Sequence, residues 1–152
     1  MDYREAKKWA EEAQALTDKL LKKSVLTKEE TAQMVTAAQA QVYIWSRAGT
    51  PLLTARAHRL ACKVFCHLNE TKMASMHAQL SDYFLKQAGD RRVVDEALGL
   101  VAFARVSAQK GERDLSSKFK AEALQVCEQI KDPQEKQQVE EELQGLSVWE
   151  SI

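Results

Sequence analysis

A chain of 152 residues that is 45% hydrophobic, with 22 basic and 22 acidic side chains, can bury about two thirds of its unfolded surface in one core. This predicts a single all-helical domain over residues 1–147 and a short apolar tail at 148–152. The charged stretch Met1–Gln14 lacks the apolar run of a secretory signal, and the most apolar stretch, Val93–Ala108, carries Asp95, Glu96 and Arg105 in too short a span for a bilayer. A soluble, intracellular, cytoplasmic protein without membrane contact is expected. The three cysteines, Cys62, Cys66 and Cys127, are an odd number in a chain large enough to fold without crosslinks, which predicts free thiols in a reducing compartment.

Helix punctuation divides the chain. The first helix, about Asp2–Lys23, places Tyr3, Ala6, Trp9, Ala10, Ala13, Leu16, Thr17, Leu20 and Leu21 on one side at a 3.6-residue period, which predicts one buried face. Thr27 and Glu30 have capping-box spacing and open a second helix, about Lys28–Ala48. It carries one stripe of Val35, Ala38, Val42 and Trp45 and another of Ala37, Ala40 and Ile44, so a neighbour is expected on each side. Thr50-Pro51 starts the third, about Pro51–Leu68, which buries Leu53, Ala57, Leu60, Ala61, Val64, Phe65 and Leu68. Asn69 reads as the N-cap of a fourth, about Glu70–Ala88, presenting Met73, Met76, Leu80, Tyr83 and Phe84. The fifth follows Asp90 and is apolar nearly all round, so it is expected to be the most enclosed element. A sixth covers about Asp114–Lys131, and Asp132-Pro133 with Glu135 opens a short seventh that ends near Gly145. Gly49, Gly89, Gly111 and Gly145 stand where helices are expected to stop.

The fold class is therefore all-α, about seven helices in antiparallel hairpins. Starts of alternate helices recur every 40 to 48 residues, which fits an α-solenoid-like stack and equally an irregular helical bundle. The run ALQVCEQIKDPQEKQQVEEEL, residues 123–143, resembles tetratricopeptide-like helical hairpins, which often turn through Asp-Pro. The resemblance covers 21 residues. It implies a helical-repeat fold and transfers no function or binding residue.

Charge is unevenly spread. Residues 46–120 hold 13 Lys/Arg against 7 Asp/Glu, whereas residues 121–152 hold 2 against 8. The acidic end can complement the basic centre within the molecule, or the two surfaces can serve different partners. Arg56, Arg59, Lys63 and His67 form a stripe on the third helix, with Arg47 just before it and Arg91-Arg92 opening the fifth. Such a stripe can follow phosphates without reading sequence, and it lacks the interleaved exposed aromatics that stack bases.

Catalytic templates find no match. The chain has neither Gly-x-x-x-x-Gly-Lys nor Gly-x-Gly-x-x-Gly, and residues 55, 64 and 74, three before each histidine, are Ala, Val and Ala rather than the Glu of di-iron bundles. His58, Cys62 and Cys66 share one side of the third helix, but eight helical residues advance about 12 Å, so at most two of them can hold one ion. Cys62 and Cys66 are the metal candidates, with Cys127 and His77 as further ligands. Against this, small weakly polar cysteines suit close helix packing, and His77 on an apolar side reads as a buried, hydrogen-bonded imidazole. The expected function is a non-enzymatic protein–protein interaction module, an adaptor or assembly subunit without cofactor, that binds another protein or itself. The alternatives are a nucleic-acid-associated subunit and a thiol or metal sensor. Arg47, Arg56, Arg59, Lys63, His67 and the tail's Trp149 are the expected partner-binding residues, and Val148, Trp149 and Ile152 are expected to fold back or dock elsewhere.

Overall fold

The structure is a computed structural model that describes the backbone of residues 2–150 and the side chains of residues 2–146. Within these residues the chain is all helix: α1 (Tyr3–Leu21), α2 (Lys28–Ala48), α3 (Pro51–His67), α4 (Thr71–Gln87), α5 (Val93–Gln109), α6 (Arg113–Glu128) and α7 (Pro133–Glu150). The helix starts expected at Thr27, Thr50 and Asp132 are made by the expected atoms, and Asp2 caps α1 in the same way. Asp2 Oδ1 accepts from the Glu5 N–H at 2.9 Å, and Thr50 Oγ1 accepts from the Leu53 N–H at 3.3 Å ahead of Pro51. Thr27 and Glu30 exchange both bonds of a capping box, at 3.1 and 3.0 Å. Asp132 Oδ1 accepts from the Gln134 N–H at 2.9 Å, but the Glu135 carboxylate turns to Arg92 at 2.6 Å, so only the cap of that box forms.

The helix stops differ from the expected set. Gly111, at φ 77°, ends α5 in a Schellman turn: its N–H bonds the Ala108 carbonyl at 3.1 Å and the Glu112 N–H bonds that of Ser107 at 3.0 Å. The same turn occurs 42 residues earlier in sequence, where Asn69 takes φ 58°, its N–H bonds the Cys66 carbonyl at 3.1 Å and the Glu70 N–H bonds that of Phe65 at 2.8 Å. Asn69 therefore closes α3 instead of opening α4; asparagine tolerates the left-handed region because its short polar side chain bonds locally. Gly145 does not stop a helix: α7 runs through it to Glu150. Gly49 ends α2 with extended backbone and is needed for space, since a Cβ there would meet the Trp45 ring and carbonyl oxygen at 2.8 Å.

The helices group in two compact units divided between Ala88 and Gly89. In the first, α1 packs on α2, α2 on α3, and α3 on α4. Leu20, Met34, Ala38, Ala61 and Val64 form one core cluster, and Ala6, Ala10, Ile44, Trp45 and Ala57 another. A buried polar pair lies between α1 and α2: Thr17 Oγ1 donates to the Ala13 carbonyl and accepts from Gln41 Nε2 at 3.4 Å. In the second unit α5 packs on both α6 and α7, as its all-round apolarity requires, around Leu98, Val101, Ala104, Ala123, Val139 and Leu146. α3 is as enclosed in its own unit, with Leu52, Ala55, Ala61, Cys62, Val64 and Cys66 all buried.

The two hairpins that close with the Schellman turn also share a side-chain device. Ser81 Oγ on α4 donates to the Ala55 carbonyl of α3 at 2.8 Å, and Ser116 Oγ on α6 donates to the Ala104 carbonyl of α5 at 2.9 Å. Each serine is buried and its short side chain lets the two helices lie close together. Part of the charge asymmetry is neutralised within the second unit: Arg105 pairs with Glu142 and Arg92 with Glu135, joining α5 to the acidic α7. No helix among the described residues is long and apolar enough to cross a membrane.

Candidate functional site

The first helix buries only part of its apolar stripe. Ala6, Ala10, Thr17 and Leu20 face the core, whereas Tyr3, Trp9 and Leu16 remain 56%, 53% and 37% exposed. The stripe is too wide for one contact, so its flank turns away from α3 and toward the outer side of α2. There it lies beside the second stripe of α2, of which Ala37 and Ile44 are buried and Ala40 is half-buried. Together they line an open groove of about 1000 Å3, with Trp9 and Leu16 as walls on the α1 side and Ile44 at one end. Ala13, Ala32, Ala37 and Ala40 keep the floor low, and Glu12 and Glu29 are the charged residues in the lining. Met34, Ala38, Ile44 and Trp45 of α2 are all buried in the two core clusters. Both neighbours expected for α2, α1 and α3, are supplied by the first unit, and what stays open is the exposed edge of Ala32, Gln33 and Thr36 beside Trp9 and Leu16. Apolar side chains left uncovered in this way favour association.

The basic residues singled out in the sequence do not form a free stripe. Arg56, Arg59 and Lys63 are half-buried, and each is engaged in a contact of its own; His67 is half-buried at the last turn of α3. Arg47 is exposed, with its guanidinium 6.0 Å from the Tyr43 ring centre, where ring and cation attract. The side chains of Val148 and Trp149, and all of Ile152, lie outside the described residues.

His58 does not turn to Cys62 and Cys66. Its Nδ1 lies 2.9 Å from His77 Nδ1 across the α3–α4 contact, and His77 Nε2 lies 3.3 Å from Gln39 Nε2 on α2. The Gln39 amide donates to His77 Nε2, so neutral His77 carries its proton on Nδ1 and donates it to His58. Phe84 stacks on His58 and Phe65 on His77, each at an interplanar angle of 3°. Burial and the neighbouring His77 push the His58 pKa down to about 4, and burial lowers that of His77. Two neutral rings sharing one proton are therefore the state this site holds near neutral pH. Cys62, Cys66 and Cys127 are buried free thiols, burial raises the Cys127 pKa, and no three His, Cys, Asp or Glu among the described residues gather where a metal ion could be held.

Trp9, Leu16 and Glu12, the residues that shape the groove, are not among the partner-binding residues expected from the sequence. The signal for them was present as excess: a stripe on α1 broader than one helix contact covers, facing a helix with two apolar sides. No family model matches the chain, and neither a curated protein nor a solved structure matches it at a significant level.

Proposed function

We propose that the protein is a non-enzymatic interaction module, an adaptor or assembly subunit, that receives a segment of another protein in the groove across α1 and α2. The observation that carries this reading is the uncovered apolar flank of Trp9 and Leu16 set beside the exposed edge of α2 over an alanine-lined groove. The buried polar groups point to structure rather than chemistry: His58 and His77 bond each other, and Ser81 and Ser116 bond backbone carbonyls. A reaction centre needs a group held ready for a substrate, whereas these are turned inward and satisfied.

The test compares the full chain with a variant carrying Ala13→Arg and Ala40→Arg, which fills the groove floor from two half-buried positions. Both are exposed to extract of the native host with nuclease present. Proteins retained by the wild type and lost by the variant, with circular dichroism and melting unchanged, are expected. An identical retained set would place the partner site elsewhere. Retention abolished by nuclease alone would instead favour phosphate contacts through Arg47 and the α3 residues.

A further inference from the structure

We propose that the occupant of this groove is a basic amphipathic helix of a partner protein, with large apolar residues on one face and Lys or Arg along its flanks. The proposal rests on the reading of the groove as a partner site and specifies its chemistry. Backbone groups come first. α1 and α2 spend their N–H and C=O groups within themselves, so an extended peptide finds no edge to pair with, whereas a helix brings its own hydrogen bonds already made. Shape agrees. The lining runs along α2 from Glu29 to Ile44, about 22 Å at 1.5 Å per residue, the length of a partner helix of about four turns. An alanine floor between Trp9, Leu16 and Ile44 admits large side chains spaced at i, i+3 or i+4 and i+7.

Charge selects the sign. Glu12 on α1 and Glu29 on α2 border the apolar surface and no Lys or Arg belongs to the lining, while Lys8 Nζ lies 5.9 Å from the Trp9 ring centre at the edge of the α1 wall. A second copy using the same groove would set these carboxylates against themselves, because an isologous contact pairs one patch with its own image. A helix with Lys or Arg beside its apolar stripe places opposite charge on both rims, which raises the encounter rate and excludes acidic competitors.

Three labelled peptides of about 16 residues serve as probes for the full chain, read by fluorescence anisotropy. One is built of Leu and Lys with Leu on a single helical face, one has the same composition scrambled, and one carries Glu in place of Lys. The amphipathic Lys peptide is expected to bind at least about tenfold more tightly than the other two, and Trp9→Ala to weaken it by about tenfold, as loss of an aromatic anchor does. Glu12→Lys with Glu29→Lys is expected to move the preference toward the Glu peptide, and the milder Glu12→Gln to weaken the Lys peptide without altering the fold. Equal binding of the scrambled peptide, or no binding of any of the three, overturns the proposal. So does a concentration-dependent dimer that Trp9→Ala dissolves. If the probes fail while Ala13→Arg/Ala40→Arg still removes a partner from extract, only the partner chemistry falls. If the extract partners are also insensitive, the groove itself is not the site.

Discussion

At the scale of single residues, two histidines and two backbone positions carry the clearest expectations. The unfolded chain protonates His58 near pH 6.5, but the folded chain does so only near pH 4, because burial and His77 oppose the charge. Between those values the unfolded state binds more protons, so stability is complete above pH 6.5 and falls as the pH falls toward 4, by about 1.4 kcal/mol for each unit of depression. His77 acts in the same direction. Urea midpoints at pH 7 and pH 5 test this above the range where Glu30 titrates, its carboxyl being held below the usual value by Lys23; equal midpoints would contradict it. The backbone positions give opposite signs for one chemical change. Gly111→Ala places a Cβ at φ 77° with nothing within 4 Å to compensate and should cost about 1 to 2 kcal/mol. Gly145→Ala, in the middle of α7 and also meeting nothing within 4 Å, should stabilise by about 0.5 to 1 kcal/mol. Melting of the two variants against the wild type separates a helix stop from a helix interior, two roles that the glycines share in the sequence.

At the scale of elements, α5 is where sequence and packing agree most closely. Val94, Leu98 and Val101 are buried toward α6 and α7, and Leu98→Ala should cost about 2 to 5 kcal/mol by chemical denaturation. Phe103, which the same apolarity placed in the core, is half-buried and stacks on Phe119 with ring centres 5.4 Å apart, so its truncation should cost less than that of Leu98. The α5–α7 contact also contains two ion pairs of different worth. Arg105 and Glu142 are largely shielded, whereas Arg92 is mostly exposed beside Glu135. Glu142→Gln should destabilise by roughly 1 to 3 kcal/mol, the range for a hydrogen bond to a charged group. Glu135→Gln should cost under about 1 kcal/mol and lose its effect in high salt. Equal costs at low and high salt for both would mean that shielding does not distinguish them.

At the scale of the whole molecule, the chain divides between Ala88 and Gly89, and the segment before α5 carries the exposed Arg91 and Arg92. Brief trypsin treatment of the native protein should cut there first and leave two helical fragments; initial cuts inside α3 or α5 would show that the division has no counterpart in solution. Much of the architecture was legible beforehand because its causes are local. Thr27 with Glu30, Thr50 with Pro51 and Asp132 with Pro133 bond to backbone within three residues of themselves, so spacing along the chain determined where α2, α3 and α7 begin. Helix ends were less legible, since Asn69 and Gly111 make the same turn with different side chains while Gly145 makes none. The groove across α1 and α2 was not legible at all. Periodicity states that α1 has a broad apolar stripe and α2 has two, but it cannot state which stripe a neighbour will cover. The sequence by itself determined the helices, their number and their apolar faces, because capping and periodicity act over one or two turns. Only the tertiary structure decided that His58 would meet His77, that α7 would neutralise Arg92 and Arg105, and that Trp9 and Leu16 would be left uncovered, because each depends on which helices come together across tens of residues of chain.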